Sequence, residues 1–315
     1  MLAVGIDIGG TSIKGAVVNE LGQPSEMFSI PVIKGDTQEE IIEKIADTLK
    51  KYLEENKFDE PIAGIGIGIP GSIDAKNGVC IYSNNLDWKD LDVVGIMKKH
   101  FDMPIRITND ANAAALGEAA FGAGKKYPNV IMITLGTGVG GGVVIENKIY
   151  EGSDGTGTEL GHMIIVKDGV MCTCGRRGCL EQYASANALA REAQESMDKN
   201  PDSLMHQIAK ELGKTSARVP FLAARRYDKA GLEVVKDYVE YLGIGICNFC
   251  NIFRPDCVVL SGGVSNEGDY LIERLTKYCE ENNFGFPYSK HCIIKVAELG
   301  YMAGIIGAAS LILRG

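Results

Sequence analysis

The sequence predicts an α/β fold of two domains, and three observations carry that expectation. Strand-like apolar runs alternate with amphipathic helical stretches along the chain. A strand–glycine turn–strand unit at the start returns about 130 residues on, in different sequence. At 315 residues the chain is long enough for two domains of ordinary size, each with a sizeable core.

The elements follow in order. Leu2 to Ile8 reads as a buried strand, Gly9-Gly10 as a turn, and Ile13 to Asn19 as a second strand. Thr37 to Asn56 reads as a helix: Thr37 and Glu40 make a capping-box pattern, and Ile41, Ile42, Ile45, Leu49 and Leu53 recur at helical spacing. Ile62 to Ile69 is a buried strand ending at Pro70-Gly71. Ile105 to Thr108 is a short strand before a small-residue helix, Ala111 to Ala119. The opening pattern then returns as a strand at Asn129 to Leu135, a glycine turn from Gly136 to Gly142, and a strand at Val143 to Ile149. Helices dominate from Leu180, before a last strand at Cys257 to Leu260 and a third turn at Gly262-Gly263. The expected boundary lies near residue 112, giving domains 1–112 and 113–299, with a terminal helix at 300–315 returning to the first.

Net charge is −9, a sign that repels phosphate backbones and anionic lipid, so neither nucleic acid nor membrane is an expected partner. No apolar run reaches the length of a membrane span, and MLAVGIDIGG lacks a basic lead and carries Asp7, so it reads as a strand and not a signal peptide. Nine cysteines cannot all pair, which points to a reducing cytoplasm.

In Asp7-Ile8-Gly9-Gly10-Thr11 a carboxylate ends a strand, and two glycines let backbone N–H groups approach phosphate oxygens. Thr11 and Lys14 add a hydroxyl and a positive charge, and Asp7 suits Mg²⁺. An ordinary hairpin would read the same way in isolation. The second turn, LGTGVGGG, formally matches a dinucleotide fingerprint at Gly136, Gly138 and Gly141. That reading fails because Val143-Val144-Ile145 continues as strand where the fingerprint needs a helix. Gly213-Lys214-Thr215 is no Walker A motif, since Ile208 stands where its first glycine belongs. Three such turns, counting Gly262-Gly263, favour a nucleotide cleft between two domains.

His162, Cys172, Cys174 and Cys179 read H-x9-C-x-C-x4-C, a ligand set for tetrahedral structural zinc with no position left for water. Cys247 and Cys250, within an apolar helix, read as core packing. Cys80, Cys257, Cys279 and Cys292 read as core or surface thiols, and His100, His206 and His291 belong to no constellation. Asn109-Asp110 opens a helix either as a cap or as a substrate ligand and general base, and position alone does not separate these. Glu159 and Glu181 bracket the zinc loop and could accept hydrogen bonds from sugar hydroxyls.

The stretches DIGGTSIKG (7–15), NNLDW (84–88), NDANAAALGE (109–118), LGTGVGGG (135–142), ELGH (159–162), CTCGRRGCLE (172–181) and LSGGVS (260–265) together resemble the ROK family of sugar kinases and repressors. The resemblance covers nearly the whole chain and implies an actin-like ATPase (ribonuclease H-like) fold. It implies Asp110 as catalytic base and sugar contacts from Gly71, Asn85, Asn109, Asp110, Glu159, His162 and Glu181. It places ATP–Mg²⁺ against Asp7, Gly9, Gly10, Thr11, Lys14, Gly136, Thr137, Gly138, Gly262 and Gly263, and structural zinc on His162, Cys172, Cys174 and Cys179. Asp87 departs from the Pro-Gly that often precedes the family's tryptophan, here Trp88. The implied activity is ATP-dependent phosphorylation of a hexose at its 6-hydroxyl, glucose first, with N-acetylmannosamine, fructose and other hexoses as alternatives. A repressor is expected to carry an additional DNA-binding module, and the first strand here starts at Leu2. A chaperone-type ATPase would leave the Glu-x-Gly-His zinc block unexplained, and a zinc hydrolase would need an open ligand position. A homodimer or higher homo-oligomer is the assembly the resemblance implies.

Overall fold

The structure, a computed structural model, describes residues 1–33, 35–289 and 292–314; His291 lies outside them. The chain divides into two compact units. One comprises Met1–Val130, Gly142–Thr158 and the chain from Glu298 onward; the other comprises Ile131–Gly141 and Glu159–Ala297.

The first unit runs β1 (Leu2–Ile8), β2 (Ser12–Asn19), β3 (Phe28–Pro31), α1 (Gln38–Glu55), β4 (Ile62–Ile69), β5 (Ser72–Asp74), β6 (Val79–Ser83), β7 (Trp88–Asp92), α2 (Val93–Lys98), β8 (Ile105–Asn109) and α3 (Asp110–Ala120). Its main sheet has the order β3-β2-β1-β4-β8, with β1 antiparallel to β2 and parallel to β4, and β4 parallel to β8. A smaller sheet, β5-β6-β7, stands beside it. The capping box of α1 is formed in both directions: Glu40 N–H donates to Thr37 Oγ1 at 3.2 Å, and Thr37 N–H donates to Glu40 Oε2 at 2.7 Å.

The sequence of β4, IAGIGIGI, explains how both faces of that sheet are covered. Side chains alternate across a strand. Ile65, Ile67 and Ile69 share a core with Val4, Ile6 and Ile8 of β1 and with Ile42, Ile45 and Leu49 of α1. Burial of each such side chain contributes on the order of 1.5–3 kcal/mol. The glycines face the other way, toward the last helix, α10 (Ala303–Leu313). A Cβ on Gly66 would stand 1.8 Å from the Ala308 carbonyl oxygen, and one on Gly307 only 1.6 Å from that of Ala113. Helix backbone therefore rests directly on strand and helix backbone, an approach that only glycine permits.

The chain passes between the units within β9 (Val130–Leu135) and β10 (Val139–Ile145), and β11 (Lys148–Ile149) folds back antiparallel on β10 in the first unit. Here the expected turn at 136–142 is too long. Strand resumes at Val139 and turns at Glu146-Asn147, both at positive φ (51° and 63°). Gly140 to Gly142 lie within strand, and their missing side chains admit neighbours: a Cβ on Gly141 would sit 2.8 Å from Leu160 Cδ1. The second unit adds α4 (Glu181–Ala184), α5 (Ala186–Lys199), α6 (Leu204–Glu211), α7 (Arg218–Ala224), α8 (Lys229–Phe253), β12 (Cys257–Ser261), α9 (Asp269–Asn282) and β13 (Ile293–Val296). Its strands run in the order β10-β9-β12-β13. Among the described residues, no helix is long and apolar enough to cross a membrane.

Candidate active site

In the first unit, three parallel strands deliver the candidate residues at their carboxyl ends. The register pairs Asp7 with Gly68 and Gly68 with Thr108, so Asp7 and the Asn109-Asp110 pair lie two strands apart on one edge. Gly68 lies between them. A Cβ there would sit tightly against Ala113 Cβ at 3.2 Å and in ordinary contact with Asp110 Cα at 3.6 Å, so the start of α3 packs closely over this strand. Nothing in the local sequence around Gly68 signals this.

Burial and the neighbouring Asp110 push the Asp7 carboxyl up from 3.8 to about 6, and Lys14 acts the other way. Lys14 is the direct cross-strand partner of Asp7. A Cβ on Gly304, in the first turn of α10, would lie 2.8 Å from Asp7 Cγ, so a helix N-terminus also abuts this carboxylate. The Asp110 carboxyl is likewise raised, by burial, against the lowering effect of the Ala111 N–H.

The cap question is answered by geometry. Asn109 Oδ1 accepts from Ala111 N–H at 2.8 Å and from Asn112 N–H at 3.3 Å, while Asn109 Nδ2 donates to the Gly71 carbonyl oxygen at 2.9 Å. Asn109 caps α3, which leaves Asp110 as its first helical residue with one carboxylate oxygen on Ala111 N–H at 2.9 Å. Gly71 sits at φ 122°, and a Cβ there would strike the Tyr82 carbonyl oxygen at 2.2 Å. Asn85 lies exposed in the turn between β6 and β7, its carbonyl oxygen 3.8 Å from where a Gly10 Cβ would stand. Gly9 N–H closes the first glycine turn on the Ser12 carbonyl at 3.0 Å, and Thr11 is exposed beside it.

Two residues of this unit escape sequence reasoning. Glu118 is fully buried and accepts from the backbone N–H groups of Ala123, Glu298 and Leu299 at 2.9, 3.1 and 2.7 Å, tying α3 to the segment that leads into α10. Glu151 accepts from the Thr108 hydroxyl just before Asn109.

In the second unit, Gly136 N–H donates to the Gly138 carbonyl at 3.0 Å, and Ala186 N–H donates to the Gly136 carbonyl at 2.8 Å, which shapes the second glycine turn with Thr137 at its exposed tip. Glu181 Oε2 accepts from Val139 N–H at 3.0 Å, and a Cβ on Gly138 would clash with the same oxygen at 2.3 Å. Glu181 Oε1 lies 3.7 Å from Cys172 Sγ, so this carboxylate joins the glycine turn to the cysteine loop. Glu159 precedes a 3₁₀ turn, Leu160–His162, that presents His162. Gly262, at φ 86°, passes so close to Leu135 that a Cβ would stand 2.6 Å from its carbonyl oxygen, whereas Gly263 faces open space.

The side chains of His162, Cys172, Cys174 and Cys179 converge, with ligand atoms all within 4.8 Å of one another. Cys174 and Cys179 Sγ are 3.6 Å apart, as are Cys172 Sγ and His162 Nδ1. A tetrahedral ion with metal–sulfur bonds of about 2.3 Å separates its ligands by about 3.8 Å, so the donor set fits one. Gly175 and Gly178, at φ 84° and 82°, make the turns that wrap the loop. The exposed Cys174 thiol is pulled down to about 6, chiefly by the Arg176 backbone N–H, which favours the thiolate a metal requires.

Two units that each open a sheet with a glycine-turned hairpin define an actin-like ATPase. The chain belongs to the ROK family, whose model matches residues 3–314. A glucokinase of Halalkalibacterium halodurans is 36% identical over 312 residues, spanning 98% of this chain and 94% of its own. The crystal structure of a ROK family glucokinase from Streptomyces griseus, in complex with glucose and AMPPNP, superposes with a TM-score of 0.78 at 33% identity over 100% of both chains. A xylose repressor of Caldicellulosiruptor bescii is 29% identical over 315 residues, which cover 98% of this chain and 77% of the repressor.

Proposed function

We propose that this chain is an ATP-dependent sugar kinase that transfers the γ-phosphoryl group of ATP to the 6-hydroxyl of glucose. The observation that carries the reading is the pair of buried carboxylates, Asp7 and Asp110, brought together across Gly68 in a chain matched end to end by glucokinases. Asp110 takes the proton of the 6-hydroxyl as its oxygen attacks the γ-phosphorus and ADP leaves. A carboxyl raised by burial is suited to that transfer. Asn109, held by Gly71 and by its own cap bonds, positions a sugar hydroxyl beside the base, and Gly71 and Asn85 add further sugar contacts.

Asp7 is a buried carboxylate that gains from any cation placed against it, which fits a role in holding Mg²⁺ directly or through water. The ion when bound offsets phosphate charge. Gly9, Gly10, Thr11, Lys14, Gly136, Thr137, Gly138, Gly262 and Gly263 offer backbone N–H groups, hydroxyls and one ammonium for nucleotide binding. Glu159, His162 and Glu181 accept and donate hydrogen bonds to the remaining sugar hydroxyls. The metal on His162, Cys172, Cys174 and Cys179 is structural zinc, because four protein ligands leave no open position. The chain works in the cytoplasm. It assembles as a homodimer or higher homo-oligomer, and light scattering of the purified protein reads which.

The test is kcat/KM for glucose, mannose, fructose, N-acetylglucosamine and N-acetylmannosamine at fixed ATP. Glucose should lead. A competitor ahead by more than about tenfold, roughly 1.4 kcal/mol in transition-state binding, removes glucose as the substrate; no turnover on any sugar removes the kinase reading.

A further inference from the structure

The second unit contains a sulfur pair that phosphoryl transfer does not use. Cys250 lies in the last turn of α8, and Cys292 immediately precedes β13. They are 42 residues apart in sequence, yet their Sγ atoms stand 3.2 Å apart. The topology brings them together. Arg254 caps α8 in the left-handed conformation (φ 48°) and turns the chain into β12. β13 then pairs in parallel with β12, Cys257 opposite Ile293, and Ile293 N–H donates to the Asp256 carbonyl at 3.0 Å. That register sets residue 292 against the end of α8.

We propose that Cys250 and Cys292 form an oxidisable dithiol, a modification site that closes to a disulfide with hydrogen peroxide or a small disulfide as oxidant. The sulfurs stand 3.2 Å apart, and a disulfide brings them to roughly 2.05 Å. Cys292 is half-buried and reachable, whereas Cys250 is 3% exposed. The two thiols therefore have different roles. The hydrogen bond from Cys250 pulls the Cys292 thiol below its ordinary value, and the Arg254 guanidinium adds to this. Cys292 is accordingly the thiolate that attacks peroxide, giving a sulfenic acid and, after protonation, water. Cys250 sulfur then attacks the sulfenic sulfur, the S–S bond forms, and a second water leaves. Two thiols are oxidised for each peroxide reduced. The nearby Cys247 and Cys279 interact with each other but are both buried, and that hydrogen bond together with burial holds the Cys279 thiol up. They are the slower pair.

The experiment uses the full-length, metal-loaded chain. Hydrogen peroxide is titrated at neutral pH, remaining thiols are alkylated, and the protein is digested and mapped by mass spectrometry. The expected result is loss of two alkylatable thiols per chain, one peptide joining Cys250 to Cys292, and recovery of both thiols with dithiothreitol. Cys292→Ser should abolish the cross-link, and Cys250→Ser should leave Cys292 to proceed to the sulfinic acid. Both variants should keep wild-type sugar phosphorylation. If Cys250→Ser fails to fold, Cys292→Ala on the more accessible side carries the test. Oxidation of other thiols with no Cys250–Cys292 peptide would overturn the proposal. So would a second metal ion per chain that is lost in Cys292→Ala, since the pair would then be ligands.

Discussion

Replacing Asp7 by Asn should stabilise the nucleotide-free protein while disabling it. The carboxyl rises from 3.8 to about 6 in the folded chain because burial and Asp110 disfavour its charge. At about 1.36 kcal/mol per unit, ionised Asp7 costs the fold about 3 kcal/mol. The sign follows from the direction of the shift. A folded-state value above the unfolded one means the favourable contribution is present below about pH 4 and is lost as pH rises through about 6. Asn is nearly isosteric and never ionises, although its amide must find new partners beside Lys14 and Gly304. The variant should therefore be more stable than wild type by up to about 3 kcal/mol at pH 8, with the difference fading toward pH 4. For 315 residues unfolding together, that is a rise of about 4 °C in Tm. The assay is urea denaturation of both proteins at pH 4, 6 and 8 without nucleotide, with turnover measured in parallel. Mg²⁺–nucleotide should protect the wild type and not the variant. A variant that is less stable than wild type at pH 8, by an amount independent of pH, would refute the reasoning that Asp7 is a strained cation ligand.

Asp110→Asn should fold normally, because Asn109 caps α3, and should lower kcat by roughly 10²–10⁴-fold. Turnover within about threefold of wild type would show that Asp110 is not the base. Purified protein should carry about one zinc per chain, lost together with sugar affinity in Cys174→Ser; metal analysis finding none in active protein contradicts the site. Glu118→Ala should destabilise by about 1–3 kcal/mol, since one buried and two part-buried N–H groups lose their acceptor, and a denaturation midpoint near wild type would show that they find others. The purified chain should not bind duplex DNA at physiological salt, and a salt-resistant mobility shift would bring the repressor reading forward.

Much of this molecule could be read from sequence wherever neighbours in space are also neighbours along the chain. The Thr37–Glu40 capping box, the helical stripe of α1 and the strand at Ile62–Ile69 are local patterns, and all three form. The candidate metal loop is local too: four ligand side chains within 18 residues converge, with Gly175 and Gly178 at positive φ. The three glycine turns and the ROK pattern follow the same logic, since close backbone approach needs glycine at particular positions. The small β5-β6-β7 sheet is not legible locally because its strands are only three to five residues long, and Gly140 to Gly142 read as turn because glycine signals both a bend and a close contact.

What only the tertiary structure decided are relations across strands and between distant segments. The sequence names Asp7 and Asp110, but their proximity comes from the register of three parallel strands. It places Glu118 in a small-residue helix, but the three N–H groups it serves include two from residues 180 and 181 positions away. It lists Cys250 and Cys292 as ordinary thiols, and the pairing of β13 with β12 makes them a pair. Periodicity and spacing report the local backbone, whereas the pKa values and reactivity of these groups depend on which charges and sulfurs the folded chain sets a few ångströms apart.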